Sequence, residues 1–405
     1  MKNSASFIQT THCGSLPRPD DVIEHAARRQ TGESVDPAEY QARLAGATQE
    51  VVRRQKEVGI SIPGDGEYGK EMGQRVNYGA WWSYSFQRLG GVKLGTELYR
   101  IPPTRSTHDH VTLTSFGDRR DRALFAAAYN DPDSGVSSNR GGPGMRLPVA
   151  IDKITYTGHD AIAADIANFK AGLAAAGMDE GFMTSIAPGS CSRIGNEYYK
   201  TEEELIYACA DAMREEYKAI IDAGLILQLD DPSIAENWDQ VNPEPSVEAY
   251  KRFTMIRVEA LNHAIKGLPK DRIRFHLCWG SWHGPHVTDI PMQNIVDVML
   301  AIDVQAYSFE AANVRHEHEW RVWRDIKPPE GKILIPGIVS HATNVVEHPE
   351  LVCDRIVRFA NLVGRENVIA STDCGLGGRV HPDIAWAKLS TLARGAELAT
   401  KQLWG

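Results

Sequence analysis

His276 and Cys278 stand two residues apart in RFHLCWG, residues 274–280, a run that reads as a buried β-strand. Side chains at i and i+2 of an extended chain point to one face. An imidazole and a thiol therefore project side by side from the strand's far end. A metal site, a nucleophile with its base, and two buried neighbours all fit that pair taken alone. Further along, SFEAAN places Glu310 and STDCGLGG places Cys374 at the ends of two later apolar runs. A catalytic zinc takes three or four Cys, His or carboxylate ligands and keeps one position exchangeable. His276 and Cys278 would supply two ligands from one strand, Cys374 a third, and Glu310 a fourth that yields to substrate. A Cys–His nucleophilic pair explains less, because nothing orients the base and Cys374 is left over.

Such a cluster needs strands to carry it. Short apolar runs ending in Gly, Pro, Asp or His alternate with helical patterns through the chain. The strand ends, in order, are FIQTTHCGSLPRP, GISIPGDGEYG, LPVAIDKITYTG, GFMTSIAPGS, GLILQLDDP, IRFHLCWG, VQAYSFEAAN, ILIPGIVSH and NVIASTDCGLGG. Between them, helices are predicted over 161–176, stopping at Gly177, and over 202–223, where Thr201 and Glu204 form a capping box. Others are predicted over 246–266, 292–302, 351–363 and 382–400. This alternation predicts parallel strands with crossover helices. The expected fold is α/β, a closed (β/α)8 TIM barrel with one extra strand and a single catalytic domain over 1–405. An open doubly wound sheet is the alternative, but the first strand lacks a G-x-G-x-x-G turn. Residues 84–148 are polar and glycine-rich and read as a lid-like insertion on a β/α loop.

Active sites of barrels gather at the C-terminal ends of the strands. Those ends carry His12, Asp65, Glu67, Asp230, Asp231, His276, Cys278, Glu310, His341, Asp373 and Cys374, a concentration of titratable groups that ordinary strand ends lack. Composition narrows the partners. A net charge of −9 with no basic run argues against nucleic acid. No apolar stretch reaches the roughly 18 residues of a membrane span. The first residues lack the apolar core of a signal peptide. A cytoplasmic location is expected, where the six cysteines stay reduced.

HLCWG, YSFEAAN, IPGIVSH and STDCGLGGR, in this order, resemble the catalytic barrel of the cobalamin-independent methionine synthase family. TTHCGSLPRP resembles that family's opening G-S-[FL]-P motif, DGEYGK its glycine–glutamate turn, and LQLDDPSIAE its D-E-P-A strand end. The resemblance runs from about Thr10 to Arg379. It implies a Zn2+ site made by His276, Cys278, Glu310 and Cys374. It also implies that His341 assists proton movement, that Asp230 and Glu67 hold the substrate's amino group, that Ser15 lies at its carboxylate, and that Glu236 is a further pocket acid. His12, at the first strand end, is counted with the substrate-binding residues, and Asp230 with His341 among the catalytic ones.

The expected chemistry is alkyl transfer to a thiol. The thiolate is the nucleophile, zinc coordination deprotonates the substrate thiol, and His341 protonates the leaving atom or relays its proton. The partners expected are a small-molecule thiol and a methyl or other alkyl donor. Methyl transfer to homocysteine or a similar small thiol comes first. SIAPGSCSR (185–193) has no match for the tryptophan that stacks on folate in the family, so the donor stays open. The wording around SIAPG, QLDDP and NEYYKTEEEL resembles the epoxyalkane:coenzyme M transferase branch, which makes epoxide opening by a zinc-bound thiol the close alternative. A non-catalytic zinc or thiol-binding barrel and a metal-free uroporphyrinogen-decarboxylase-like barrel are the remaining readings. Oligomeric state is not legible.

Overall fold

Ten strands occur among the residues that the computed structural model describes: 1–74, 79–95, 105–113, 118–136 and 147–405. They are β1 (Gln9–Thr10), β2 (Leu89–Leu94), β3 (Pro148–Tyr156), β4 (Phe182–Ile186), β5 (Gly195–Asn196), β6 (Ile226–Asp231), β7 (Ile273–Leu277), β8 (Ala306–Phe309), β9 (Ile333–Val339) and β10 (Ile369–Thr372). Seven form one curled parallel sheet in the order β1-β10-β9-β8-β7-β6-β4. Strands buried on both faces read as continuous apolar runs, and β7 and β9 are buried at every residue.

Alternation along each strand builds the inner face in layers. Ile62, Phe182, Ile226, Ala306, Ile333, Ile335 and Ile369 make an apolar floor. Two residues further along their strands, Thr184, Gln228 and Ser308 take the same face. The guanidinium of Arg274 lies in that polar layer, donating to Gln228 Oε1 at 2.7 Å, Thr11 Oγ1 at 3.0 Å and the His12 carbonyl at 2.9 Å. The next step up carries Asp230, His276 and Glu310. Polar chemistry is thus raised on a greasy base toward the C-terminal ends of the strands.

The run GISIPGDG behaves differently from its expectation as a strand. Ile62 N donates to the Thr10 carbonyl at 2.9 Å, and Phe182 N donates to the Pro63 carbonyl at 2.9 Å. Residues 60–64 therefore bond to both β1 and β4, the two ends of the sheet order. Pro63 has no N–H to offer, which keeps the segment from becoming a regular ladder.

LPVAIDKITYTG was expected as a strand of the main sheet and is not one. It forms β3, which pairs antiparallel with β2 and parallel with β5 in a separate three-stranded sheet. Its centre, Ile151 to Lys153, faces solvent, which a strand inside a helix-covered sheet cannot do.

Most predicted helices are present with shifted ends: His159–Ala176, Glu202–Asp222, Val247–Ile265, Pro349–Val363 and Pro382–Trp404. The Thr201 side chain accepts from Glu204 N at 3.1 Å, as the capping box requires. The helix expected over 292–302 is reduced to a single turn and the short helix Val296–Leu300. Helices Asp20–Gln30 and Pro37–Glu57 have no counterpart in the sequence reading. No helix among the described residues is long and apolar enough to cross a membrane.

Of the span 84–148, the first residues belong to the helix Ala80–Gln87, whose Trp82 and Tyr84 are buried. Parts of the expected lid, 96–104, 114–117 and 137–146, lie outside the described residues. The stretch 118–130 is held to the main sheet's loops. Arg120 N donates to the Asp239 carbonyl at 3.0 Å, Val287 N to Asp121 Oδ1 at 3.0 Å, and Trp282 Nε1 to the Tyr129 hydroxyl at 2.8 Å.

Candidate active site

β7 and β10 deliver the sulfur and imidazole groups. Each of His276, Cys278 and Cys374 brings a ligand atom within 4.8 Å of the other two. The two sulfurs lie 3.9 Å apart, and Gly280 N donates to Cys278 Sγ at 3.3 Å. Hydrogen bonding from Cys278, opposed by burial and helped by His276, holds the Cys374 thiol well below the usual thiol range. Cys278 is pushed well above it, by the bond to Cys374 and by burial. One negative charge is thus stable on this pair of sulfurs, and a second requires a nearby cation.

The donor set fits a zinc ion. Two thiolates at 2.3 Å from a tetrahedral zinc stand about 3.8 Å apart, close to the separation found here. The Nδ1 side of His276 faces Ser308 Oγ at 3.3 Å. Its Nε2 is buried and makes no hydrogen bond, leaving a free donor atom on the ring.

Glu310 follows β8 and is held by two bonds. Trp279 N donates to Oε1 at 3.1 Å and Asn313 Nδ2 to Oε2 at 2.8 Å. Burial, with Asp373 and Cys374 adding to it and His316 opposing, pushes its carboxyl up to about 8. Glu310 groups with His341 and Asp373 within 4.8 Å rather than with the sulfur cluster. Asp373 is occupied: Oδ1 accepts from Ala311 N and Ala312 N, and Oδ2 from Asn313 N and Nδ2. It pins the loop carrying Glu310 from the position next to Cys374. His341 follows β9, is buried, and leaves Nδ1 without a hydrogen bond. Burial drives its imidazole down to about 3, with Arg379 assisting and Cys374 opposing, so it stands neutral.

The pocket acids come from β6 and the segments around it. Asp230 pairs in register with His276 and accepts from Gln228 Nε2 at 2.7 Å. Burial and Glu67 raise it to about 6, against His276 and Lys70. Glu67 has φ 62°, a left-handed backbone that a non-glycine residue adopts at a cost. Its Oε1 accepts from Lys70 Nζ at 3.1 Å and from the Thr184 hydroxyl at 2.5 Å. Gly14 must be glycine here, because a Cβ would come 2.6 Å from that carboxylate. Ser15 is bonded through its hydroxyl to Arg18 at 3.2 Å, and its carbonyl accepts from Leu376 N and Gly377 N at 2.9 Å each. The opening GSLP run thereby locks onto the glycine loop that follows Cys374. His12 is turned the other way, with Nε2 2.8 Å from Gln55 Oε1 and 3.2 Å from Gly64 N, its ring edge on Phe182.

Glu236 is clamped by two arginines, Arg193 at 2.8 Å and Arg119. The Arg119 guanidinium also lies over Trp282, 4.1 Å from the ring centroid. Burial alone would raise the Glu236 carboxyl, but Arg193 and Arg119 overcome it and hold it at about 2, against 4.5 unperturbed. A depressed carboxylate stabilises the fold above its unfolded-state value, and the gain disappears as pH falls toward the folded value. Glu236→Gln is expected to lower stability near neutral pH by about 3 kcal/mol. The gap to wild type should close between pH 4.5 and 2. Urea midpoints measured across that range check it, and a pH-independent gap would refute it.

Three groups escaped the reading of the sequence: Cys13 beside His276, Lys70 on Glu67, and the arginines on Glu236. Cys13 had a signal, since it lies two residues from Thr11 and so shares its face. The others had none beyond their charge.

Known proteins resemble this chain. Residues 131–397 fit the family described as cobalamin-independent synthase, catalytic domain. The methionine synthase of Thermococcus kodakarensis is 24% identical over 406 residues, covering 98% of this chain and 95% of that protein. The methionine synthase of Sulfurisphaera tokodaii is 23% identical over 402 residues, covering 98% and 94%. A B12-independent methionine synthase from Shewanella sp. W3-18-1, solved in complex with selenomethionine, has the same fold, with TM-score 0.70 and 18% identity over 98% of this chain and 99% of that one. The chain belongs to the family of cobalamin-independent synthase catalytic domains.

Proposed function

We propose that this protein is a zinc-dependent thiol alkyltransferase, moving a methyl group to homocysteine or a similar small thiol. The observation that carries the proposal is the convergence of His276, Cys278 and Cys374 at the strand ends, with the buried Nε2 of His276 free of hydrogen bonds. His276, Cys278 and Cys374 would hold the metal, and Glu310, one residue past β8, would be the exchangeable fourth ligand. Bound there, Zn2+ would lower the pKa of a coordinated thiol and leave it nucleophilic at neutral pH. The scaffold would be a closed (β/α)8 barrel with residues 60–64 as its eighth member, and the stretch 118–130 would form part of a lid over the site.

The chain's own groups have distinct tasks. Asp230, which has no salt bridge among the described residues, would take the substrate's ammonium. Ser15 would lie at its carboxylate, and His341, neutral and buried beside Cys374, would accept and pass on a proton. Burial of the site excludes bulk water, which strengthens each of these contacts. The curated relatives named methionine synthase and the selenomethionine-bound neighbour support an amino-acid thiol. The reduced thiols that this site needs suit the cytoplasm.

One observation favours a second reading. Glu67, matched to a group that holds the substrate's amine, already has the Lys70 ammonium on its carboxylate. A thiol with an anionic head and no amine, opening an epoxide, would suit that pairing. Zinc-loaded protein is to be incubated with homocysteine, coenzyme M, glutathione or cysteine, each combined with methylfolate, methyl thioethers or short epoxides. Mass spectrometry then reads the thioether formed. Methionine supports the first reading and a hydroxyalkyl thioether the second. No thioether from any pair refutes both.

A further inference from the structure

Cys13 touches the proposed metal cluster, yet the function above assigns it no task. It follows β1 and is buried. Its sulfur lies 3.6 Å from His276 Nδ1, 3.1 Å from Ser308 Oγ, 3.5 Å from Ser371 Oγ and 3.1 Å from the Thr372 carbonyl oxygen. Ser308 Oγ is itself 3.3 Å from His276 Nδ1.

Donor and acceptor accounting gives this small network a direction. A carbonyl oxygen only accepts, so the single S–H of Cys13 points at Thr372. The sulfur is then left to accept. The Ser308 hydroxyl can give its hydrogen to that sulfur, which leaves its oxygen accepting as well. In that arrangement both neighbours of His276 Nδ1 accept, and Nδ1 carries the hydrogen. A metal-bound imidazole is neutral and keeps one N–H, so with that hydrogen on Nδ1 the lone pair offered to a metal is the one on Nε2. That is the buried nitrogen without a hydrogen bond. A metal-binding histidine commonly has its other nitrogen fixed in this way, and loss of the fixing partner costs roughly 10–100-fold in affinity.

We propose that Cys13, acting with Ser308, is a positioning residue that fixes His276 as its Nδ1–H tautomer and presents Nε2 to the metal, while Cys13 itself stays outside the coordination sphere. The inference rests on the zinc reading above and goes beyond it by giving a third cysteine of the cluster a non-ligand task. The double variant Cys13→Ala/Ser308→Ala leaves Nδ1 with neither partner. The conservative Cys13→Ser keeps a donor for Thr372 and an acceptor for the layer.

Zinc affinity by chelator competition and the thiolate-to-metal charge-transfer band of the Co2+-substituted protein test the proposal. The double variant is expected to bind zinc 10–100-fold more weakly, and Cys13→Ser to stay within about threefold of wild type. The charge-transfer intensity per cobalt should be the same in wild type and Cys13→Ser, since the same two thiolates bind. A double variant with wild-type affinity overturns the positioning role alone. A loss of about a third of the band in Cys13→Ser makes Cys13 a ligand and also overturns it. Wild-type protein that binds no stoichiometric zinc or cobalt defeats the functional reading and this role together.

Discussion

Cys374→Ser is expected to weaken zinc binding by roughly 10²–10³-fold and to abolish thioether formation, while leaving the fold intact. Structural zinc in small domains is held by about 10–16 kcal/mol at neutral pH. Shared over three or four ligands, one thiolate carries about 3–4 kcal/mol, which is that range in affinity. Cys374 is the sulfur most ready to ionise, being held well below the usual thiol range by its hydrogen bond from Cys278 and by His276. A serine hydroxyl at the same place has no comparable anion to offer. The fold should survive because Cys374 sits past the end of β10 and is only half-buried. Cys353, whose sulfur lies 3.6 Å from Gln402 on the C-terminal helix, is the control: Cys353→Ser should keep both metal and activity. Metal analysis of protein purified under reducing conditions reads the result. One tightly held zinc per chain in Cys374→Ser would move the metal site elsewhere.

Half of the sulfur cluster was legible because its spacing is local. His276 and Cys278 share a face by strand parity, and Cys374 announces itself by the glycines after it, which are required where Ser15 and Leu16 pack close. The climb from apolar floor to polar rim was legible for the same reason, as alternate residues in IRFHLC. What surrounds those groups was not. Cys13 meets His276 across 263 residues and Arg119 meets Glu236 across 117, and no periodicity connects such pairs. Lys70 lies three residues from Glu67, but the left-handed backbone at Glu67 breaks both the helical and the strand rule for which side chains meet. β3 misled because its apolar ends, Val149, Ala150, Ile154 and Tyr156, look like a core strand. Its exposed centre decides its place, and Ile151 there is apolar too. Segment 60–64 shows the opposite case: its position between two strands is clear, but Pro63 removes the donor that would make it a regular strand.

Asp373→Asn is expected to cost about 2–4 kcal/mol of stability and to couple to Glu310. The Asp373 carboxylate accepts four hydrogen bonds, from Ala311 N, Ala312 N, Asn313 N and Asn313 Nδ2. Hydrogen bonds to charged groups contribute about 1.5–3 kcal/mol each, and a buried donor left alone costs about 1–3 kcal/mol. Asparagine keeps one accepting oxygen but sets an NH2 against donors on the other side, so two bonds are lost and two donors face a donor. For a chain of this size the loss corresponds to a fall in Tm of roughly 2–5 °C. The second consequence is local. Asn313 Nδ2 bonds both Asp373 and Glu310, so loosening Asn313 frees the carboxylate proposed as the exchangeable ligand. Zinc affinity measured on wild type, Asp373→Asn, Glu310→Gln and the double variant forms a cycle that isolates this coupling. The double variant should lose less than the sum of the single losses, because Glu310 is already mispositioned once Asp373 is gone. Strict additivity, with a melting temperature within a degree of wild type, would reduce Asp373 to a bystander beside Cys374.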